Sequence, residues 1–196
     1  MLTALLVVGA YVSGSLPIGL WVARLAGIDV RKSGSGNIGA TNVARTVGVT
    51  PGLVTLLGDV VKGLLPVIVA QRVGCGPWAV AGVGLTALFG HVCSVFLRFS
   101  GGKGVATACG VFLALAPGAT VVSLAAFLVA ARTTGYASVA SMTAAAVLPG
   151  ACAVGAYPRA TLVAACVTAV VVIARHRENL ARLRRGVEPR FRARRR

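Results

Sequence analysis

Long apolar runs dominate this chain, at residues 1–23, 51–70, 77–97, 105–131, 136–156 and 160–174, with short polar breaks between them. About 20 apolar residues cross ~30 Å of hydrocarbon as a helix, so the runs have the length and character of membrane spans. A lipid-exposed backbone must satisfy its own hydrogen bonds, which selects helices. The pattern predicts an all-α, polytopic integral membrane protein with no sizeable soluble domain. Residues 1–196 read as a single membrane-embedded domain, with a basic tail at 175–196. The first run has no Lys or Arg ahead of it and continues through Pro17 without a clean cleavage site, so it reads as a retained helix rather than a signal peptide.

Composition sharpens this picture. The chain is 57% hydrophobic, with a formal charge of +16 from 20 Lys and Arg against 4 Asp and Glu. Such a balance often marks a nucleic-acid binder, but ten of the arginines fall between Arg175 and Arg196, directly after an apolar run. A juxtamembrane polybasic segment is drawn to anionic lipid on the cytoplasmic side, so membrane lipid is the expected partner and nucleic acid is not.

Charge also orients the helices. Arg24, Arg31, Lys32 and Arg45 crowd the first polar break, whereas the break around Cys75 has only Arg72. The positive-inside rule then places the N-terminus outside and residues 24–50 in the cytoplasm, and the third run returns to Arg98 and Lys103 on that same side. A cytoplasmic tail requires an even number of crossings after Lys103. Pro117-Gly118 divides the 105–131 run into two short helices, which gives seven spans; the alternative has five, with one run at the interface.

Candidate chemistry lies in the breaks. Residues 32–42, KSGSGNIGATN, carry three glycines among Ser, Asn and Thr. Gly34, Gly36 and Gly39 formally match GxGxxG, with Asp59 twenty residues on, but the flanks are membrane helices rather than a βαβ unit, and no GK[ST] follows to make a P-loop. What survives is the physics those motifs share: glycine backbone approaches a ligand closely, and successive amides form an anion nest. Ser35, Asn37, Thr41 and Asn42 add donors, and Arg31, Lys32 and Arg45 bracket the loop with positive charge. A plain solvated linker is the competing reading.

A second basic glycine stretch, FSGGKGVAT at 99–107, favours the anion reading, with Gly101, Gly102 and Gly104 around Lys103 at a helix start. The third polar segment, RHRENLARLRRGVEPRF, reads as a helix leaving the membrane and ending at Gly186, with His176, Asn179 and Leu183 on one face. Glu178 is placed to pair with Arg175 or Arg182. Asp59 and Lys62, one turn apart in a span, form a self-neutralising pair more readily than a reaction centre, while His91 reads equally as structural or functional. The five cysteines are scattered, with no CxxC and no ligand spacing, so no metal site and no disulfide framework is expected.

Together these segments resemble one family, the membrane-integral acyl-phosphate:glycerol-3-phosphate acyltransferases of bacteria. The resemblance rests on SGSLPIG at 13–19, GSGNIGATNVAR at 34–45, GDVVKG at 58–63, GHVCSVFLRFSGGKGVAT at 90–107 and RHRENLARLRRGVE at 175–188. It implies transfer of a fatty acyl group from acyl phosphate to the 1-hydroxyl of sn-glycerol 3-phosphate, without a cofactor, at the cytoplasmic face of the bacterial inner membrane. A soluble enzyme that makes acyl phosphate is the implied partner. The resemblance marks Ser35 and Arg45 of the first motif, and His176 and Asn179 of the third, as required. It assigns Gly101, Gly102 and Gly104 to the acyl-phosphate donor and gives Glu178 a structural role. Ser94 departs from the family's usual proline.

The residues suit that chemistry independently. Acyl phosphate is an activated mixed anhydride, so the site needs mainly to place a hydroxyl, neutralise phosphates and stabilise an oxyanion. Arg45, Lys103 and the Ser35 loop are expected to hold phosphate groups, with His176, oriented by Asn179, contacting the acceptor. His176 as general base and a substrate phosphate oxygen as proton acceptor both remain open. Neither histidine begins an HxxxxD pattern, since Phe96 and Ala181 stand at the fifth position after them. An anion transporter and a lipid-binding structural protein are the readings from other classes.

Overall fold

The computed structural model describes residues 1–190, and every regular element among them is helical. Residues 191–196, which include four arginines of the expected basic tail, lie outside the described residues. The chain forms two compact units, residues 1–115 and 116–196.

In the first unit the N-terminal run gives α1 (Leu2–Ser15) and α2 (Ile18–Leu25), parted at Pro17, which lacks the N–H that a continuous helix requires. Gly27, at φ +72°, ends α2. There the Gly27 N–H donates to the Arg24 carbonyl and the Ile28 N–H to that of Ala23, the bond pair of a Schellman cap. After the glycine-rich loop come α3 (Ala40–Thr46), α4 (Val49–Arg72) and α5 (Pro77–Val92). A 3₁₀ turn, Val95–Leu97, and the second glycine segment lead to α6 (Val105–Leu115). Helix α4 is the hub, packing on α1, α2, α3, α5 and α6. Small residues allow the close crossings: a Cβ at Gly63 would strike the Thr107 carbonyl, and one at Gly110 the Val60 carbonyl.

The buried charges of this unit sit at the hub. Lys62 Nζ lies 2.8 Å from Asp59 Oδ1, with both side chains almost fully buried. The same ammonium donates to the Leu16 carbonyl at 2.7 Å, where Pro17 interrupts the helix, so the expected intramembrane pair also braces the α1–α2 break. Ser94 is explained here as well. Its φ of −67° is a value proline adopts, and its buried hydroxyl donates to the Ser15 carbonyl at 2.6 Å, tying the turn after α5 to the end of α1.

The second unit comprises α7 (Pro117–Thr134), α8 (Ala137–Val154), α9 (Arg159–Arg175) and α10 (Arg177–Arg184), with α8 packed on α7 and α9. The 105–131 run does break where Pro117-Gly118 predicted. Among the described residues five helical stretches are long and apolar enough to cross a membrane, and six if α9 and α10, bent by 51°, count as one. Helix α6, with 11 residues, is about 16 Å long, and it is the element on which the expected seventh crossing depends.

Candidate active site

The first glycine loop is built around one side chain. Asn42, in α3 and 2% exposed, donates from Nδ2 to the carbonyls of Val30, Ser33 and Asn37 at 3.1, 3.0 and 2.8 Å. Its Oδ1 accepts the Ser35 N–H at 2.8 Å. Thus Asn42, expected to be a donor to ligand, spends its amide on the loop and fixes the backbone of Ser35. Gly34 and Gly36 take φ of +60° and +71°, and a Cβ on Gly34 would run into Asn42 Oδ1. Asn37 Oδ1 accepts the Gly39 N–H at 2.7 Å, an Asx turn that leads into α3.

The charges flanking the loop divide. Arg31 is neutralised: its Nη2 lies 2.6 Å from Asp29 Oδ2 and its Nε donates to Oδ1 at 2.9 Å. Hydrogen bonding to that guanidinium outweighs desolvation and holds the Asp29 carboxyl well below the usual carboxylate range. The expectation that Arg31 lends free positive charge is therefore corrected. Lys32 and Arg45 are exposed, and neither makes an ion pair among the described residues. Arg45, in the last turn of α3, is thus a cation one helical turn from Asn42, the residue that fixes the Ser35 backbone. Ser35 is half-buried and Thr41 exposed.

The second glycine segment has a different support. The Gly101 N–H donates to the Val92 carbonyl and the Gly102 N–H to the His91 carbonyl, each at 3.1 Å, so the strand of glycines lies against the end of α5. A Cβ on Gly101 would overlap the His91 carbonyl, and one on Gly102 the His91 ring at Nε2. These glycines are needed by the protein's own packing, in addition to any ligand. Gly104 takes φ +83° and delivers the chain into α6, leaving Lys103 half-buried just ahead of the helix. One apolar cluster seats both segments, with Leu97 packed among Leu20, Ala23, Val30, Ile38 and Val43.

In the second unit His176 sits at the bend between α9 and α10 and is 2% exposed. Its Nδ1 lies 2.7 Å from the Val172 carbonyl. A carbonyl only accepts, so Nδ1 carries the proton and Nε2 is the acceptor nitrogen of the neutral ring. Asn179 Nδ2 donates to Glu188 Oε1 at 2.6 Å, Ser138 Oγ to the same oxygen at 2.7 Å, and Arg182 Nε to Oε2 at 2.8 Å. The return of the chain is made by Gly186, at φ +72°. The Gly186 N–H donates to the Leu183 carbonyl and the Val187 N–H to that of Arg182, a second Schellman cap, which folds Glu188 back onto α10.

Burial alone would raise the Glu188 carboxyl, but hydrogen bonds from Asn179, Ser138 and Arg182, with the charge of Arg182, hold it below its ordinary value. Glu188 was missed as a site residue in the sequence, where it appears only as the last letter of a motif. The signal available was the Gly186 turn, which sends the next acid back along the helix. Glu178, by contrast, is exposed and makes no ion pair among the described residues, and Arg182 goes to Glu188 instead. The structural carboxylate of this segment is Glu188.

A family model described as glycerol-3-phosphate acyltransferase matches residues 4–186. A glycerol-3-phosphate acyltransferase of Geobacter sulfurreducens is 54% identical over 187 residues, covering 94% of this chain and 95% of that protein. One from Rubrobacter xylanophilus is 46% identical over 191 residues, covering 97% and 96%. The crystal structure of an integral membrane glycerol 3-phosphate acyltransferase in its glycerol 3-phosphate form superposes with a TM-score of 0.94 at 39% identity, over 97% of this chain and 96% of that one. Its lysophosphatidic acid form gives 0.91 at 38% identity, over 97% and 95%.

Proposed function

The chain belongs to the glycerol-3-phosphate acyltransferase family, and from that premise we propose that it moves a fatty acyl group from acyl phosphate to the 1-hydroxyl of sn-glycerol 3-phosphate. The products are 1-acylglycerol 3-phosphate and phosphate, the first acylation of phospholipid synthesis. The observation that carries the reading is the Asn42-locked loop, which holds the Ser35 backbone while α3 presents Arg45, exposed and without an ion pair among the described residues. That is the equipment for a phosphate group.

Chemistry supports direct transfer. The acceptor hydroxyl attacks the acyl carbon, the C–O bond to phosphate breaks, and phosphate leaves with the electron pair. Lys103 and Arg45 offset phosphate charge, and backbone amides of the two glycine segments suit the developing oxyanion. His176, with its Nδ1 proton committed to Val172, has the tautomer a general base at Nε2 requires, and it serves the acceptor; Asn179 is held ready by Glu188. Ser35 binds rather than attacks, because an activated donor gains nothing from an acyl-enzyme. The working frame is a multi-pass protein of the bacterial inner membrane, with seven crossings, the N-terminus outside and the chemistry on the cytoplasmic side. A soluble enzyme supplies the acyl phosphate.

The test is release of phosphate and formation of lysophosphatidic acid by purified protein, requiring both acyl phosphate and glycerol 3-phosphate and no divalent metal. Turnover with acyl-CoA in place of acyl phosphate would overturn the donor. Mass spectrometry after acyl phosphate alone should show no adduct; a stoichiometric acyl group on Ser35, discharged by glycerol 3-phosphate, would overturn direct transfer.

A further inference from the structure

His91 occupies an unusual junction. It stands in the last turn of α5, 4% exposed, inside a segment otherwise made of apolar and small residues. On one side its Nδ1 lies 3.6 Å from Asp59 Oδ1, the oxygen that also takes the Lys62 ammonium at 2.8 Å. That separation is an electrostatic contact, longer than a hydrogen bond. On the other side the His91 carbonyl accepts the Gly102 N–H at 3.1 Å, and the ring edge at Nε2 lies where a Gly102 side chain would begin. Histidine thus touches the glycine segment through both its backbone and its ring.

Those contacts form one continuous path: Leu16 carbonyl, Lys62, Asp59, His91, Gly102. An ion pair alone would satisfy Asp59 and Lys62, so neutralising buried charge does not explain a third titratable side chain aimed at the loop. Packing alone is met more cheaply by an apolar side chain, since burial of a polar ring costs free energy unless its partners are specific.

We propose that His91, held by Asp59, is a positioning residue for the second glycine segment, setting the backbone of residues 101–103 and so the place of Lys103 for a phosphoryl group. The inference deepens the proposed function and rests on its assignment of Lys103 to phosphate. Two sources share this chemistry, the acyl phosphate donor and glycerol 3-phosphate, and the experiment separates them.

The experiment compares wild type, His91→Gln and the charge-neutral double variant Asp59→Asn with Lys62→Met, each purified in detergent and shown folded by gel filtration and thermal melting. KM is measured for each substrate in turn, and inorganic phosphate binding is measured separately by calorimetry. His91→Gln is expected to raise KM for one substrate about tenfold and to weaken inorganic phosphate binding by the same factor, with kcat changed less than about threefold. The substrate affected identifies the phosphoryl group that the segment holds. The double variant is expected to reproduce the shift, and it carries the comparison if His91→Gln does not fold. A fall in kcat with both KM values unchanged, or equal rises in both, would reduce His91 to a structural residue and overturn the proposal. Loss of acyl transfer chemistry in wild type itself would instead overturn the proposed function, while the calorimetric comparison would still decide the role of His91.

Discussion

The two glycine segments of the first unit have similar compositions and opposite constructions. Residues 33–39 are organised from within: the Asn42 amide gathers three carbonyls and one N–H, and Gly34 and Gly36 supply positive φ. Residues 101–102 are organised from outside, laid along the end of α5 with no room for a side chain between them and His91. The difference teaches that a glycine-rich segment is not one device. In the first segment glycine provides conformation, whereas in the second it provides clearance.

The largest expected effect comes from removing the internal organiser. Asn42→Ala leaves three loop carbonyls and the Ser35 N–H without their partner, at about 1–3 kcal/mol for each group that stays buried. Acyl transfer by the purified variant should fall by about a hundredfold or more, since a misplacement near 1 Å can cost that much. A variant with near wild-type turnover would break the comparison, because the loop would then hold its shape without Asn42.

Next is clearance in the second segment. Gly102→Ala should lower kcat/KM by about tenfold to a hundredfold, and combining it with His91→Ala should cost less than the two single losses together, because the methyl collides with the ring. Strictly additive effects in the double-mutant cycle would show that clearance is needed for ligand and not for His91.

A third test uses pH to set the neutral Asn42 organiser apart from the charged one at Glu188. The Glu188 carboxyl lies below its ordinary value of 4.5 in the folded protein. Its contribution to stability is therefore full above 4.5 and is lost as pH falls through the lower folded value. Melting temperature should decline on acidification below that ordinary value, and Glu188→Gln should start lower and flatten this decline. Glu178→Ala, at an exposed position with no ion pair among the described residues, should leave the melt within about 0.5 kcal/mol of wild type.

The smallest effect sharpens the conformational side. Gly36→Ala meets only the Arg31 carbonyl, at 3.2 Å, but at φ +71°. It should cost about 1–2 kcal/mol of stability from left-handed strain, with KM for the phosphorylated substrates raised more than kcat is lowered. An unchanged melt would mean that this turn is not strained by a side chain.

Much was legible along the chain because it depends on local or solvent-scale physics. Hydrophobic run length announced membrane helices, Pro17 and Pro117 marked helix breaks by lacking an N–H, and Gly186 marked the end of α10 through its positive φ. The motifs that carry the family likeness were readable as strings, as were Ser35, Arg45, Lys103, His176 and Asn179 as candidates. Tertiary structure alone decided what each polar group is spent on. Arg31 is neutralised by Asp29, Asn42 turns inward to the loop, Gly102 makes way for a histidine on another helix, and Asn179 is held by an acid nine residues on. Hydrogen bonds and ion pairs act over about 3 Å, and the partners here are chosen by how the chain folds back at glycine caps and packs on α4. Residue type declares what a side chain is able to bind, while the fold determines which partner reaches it first.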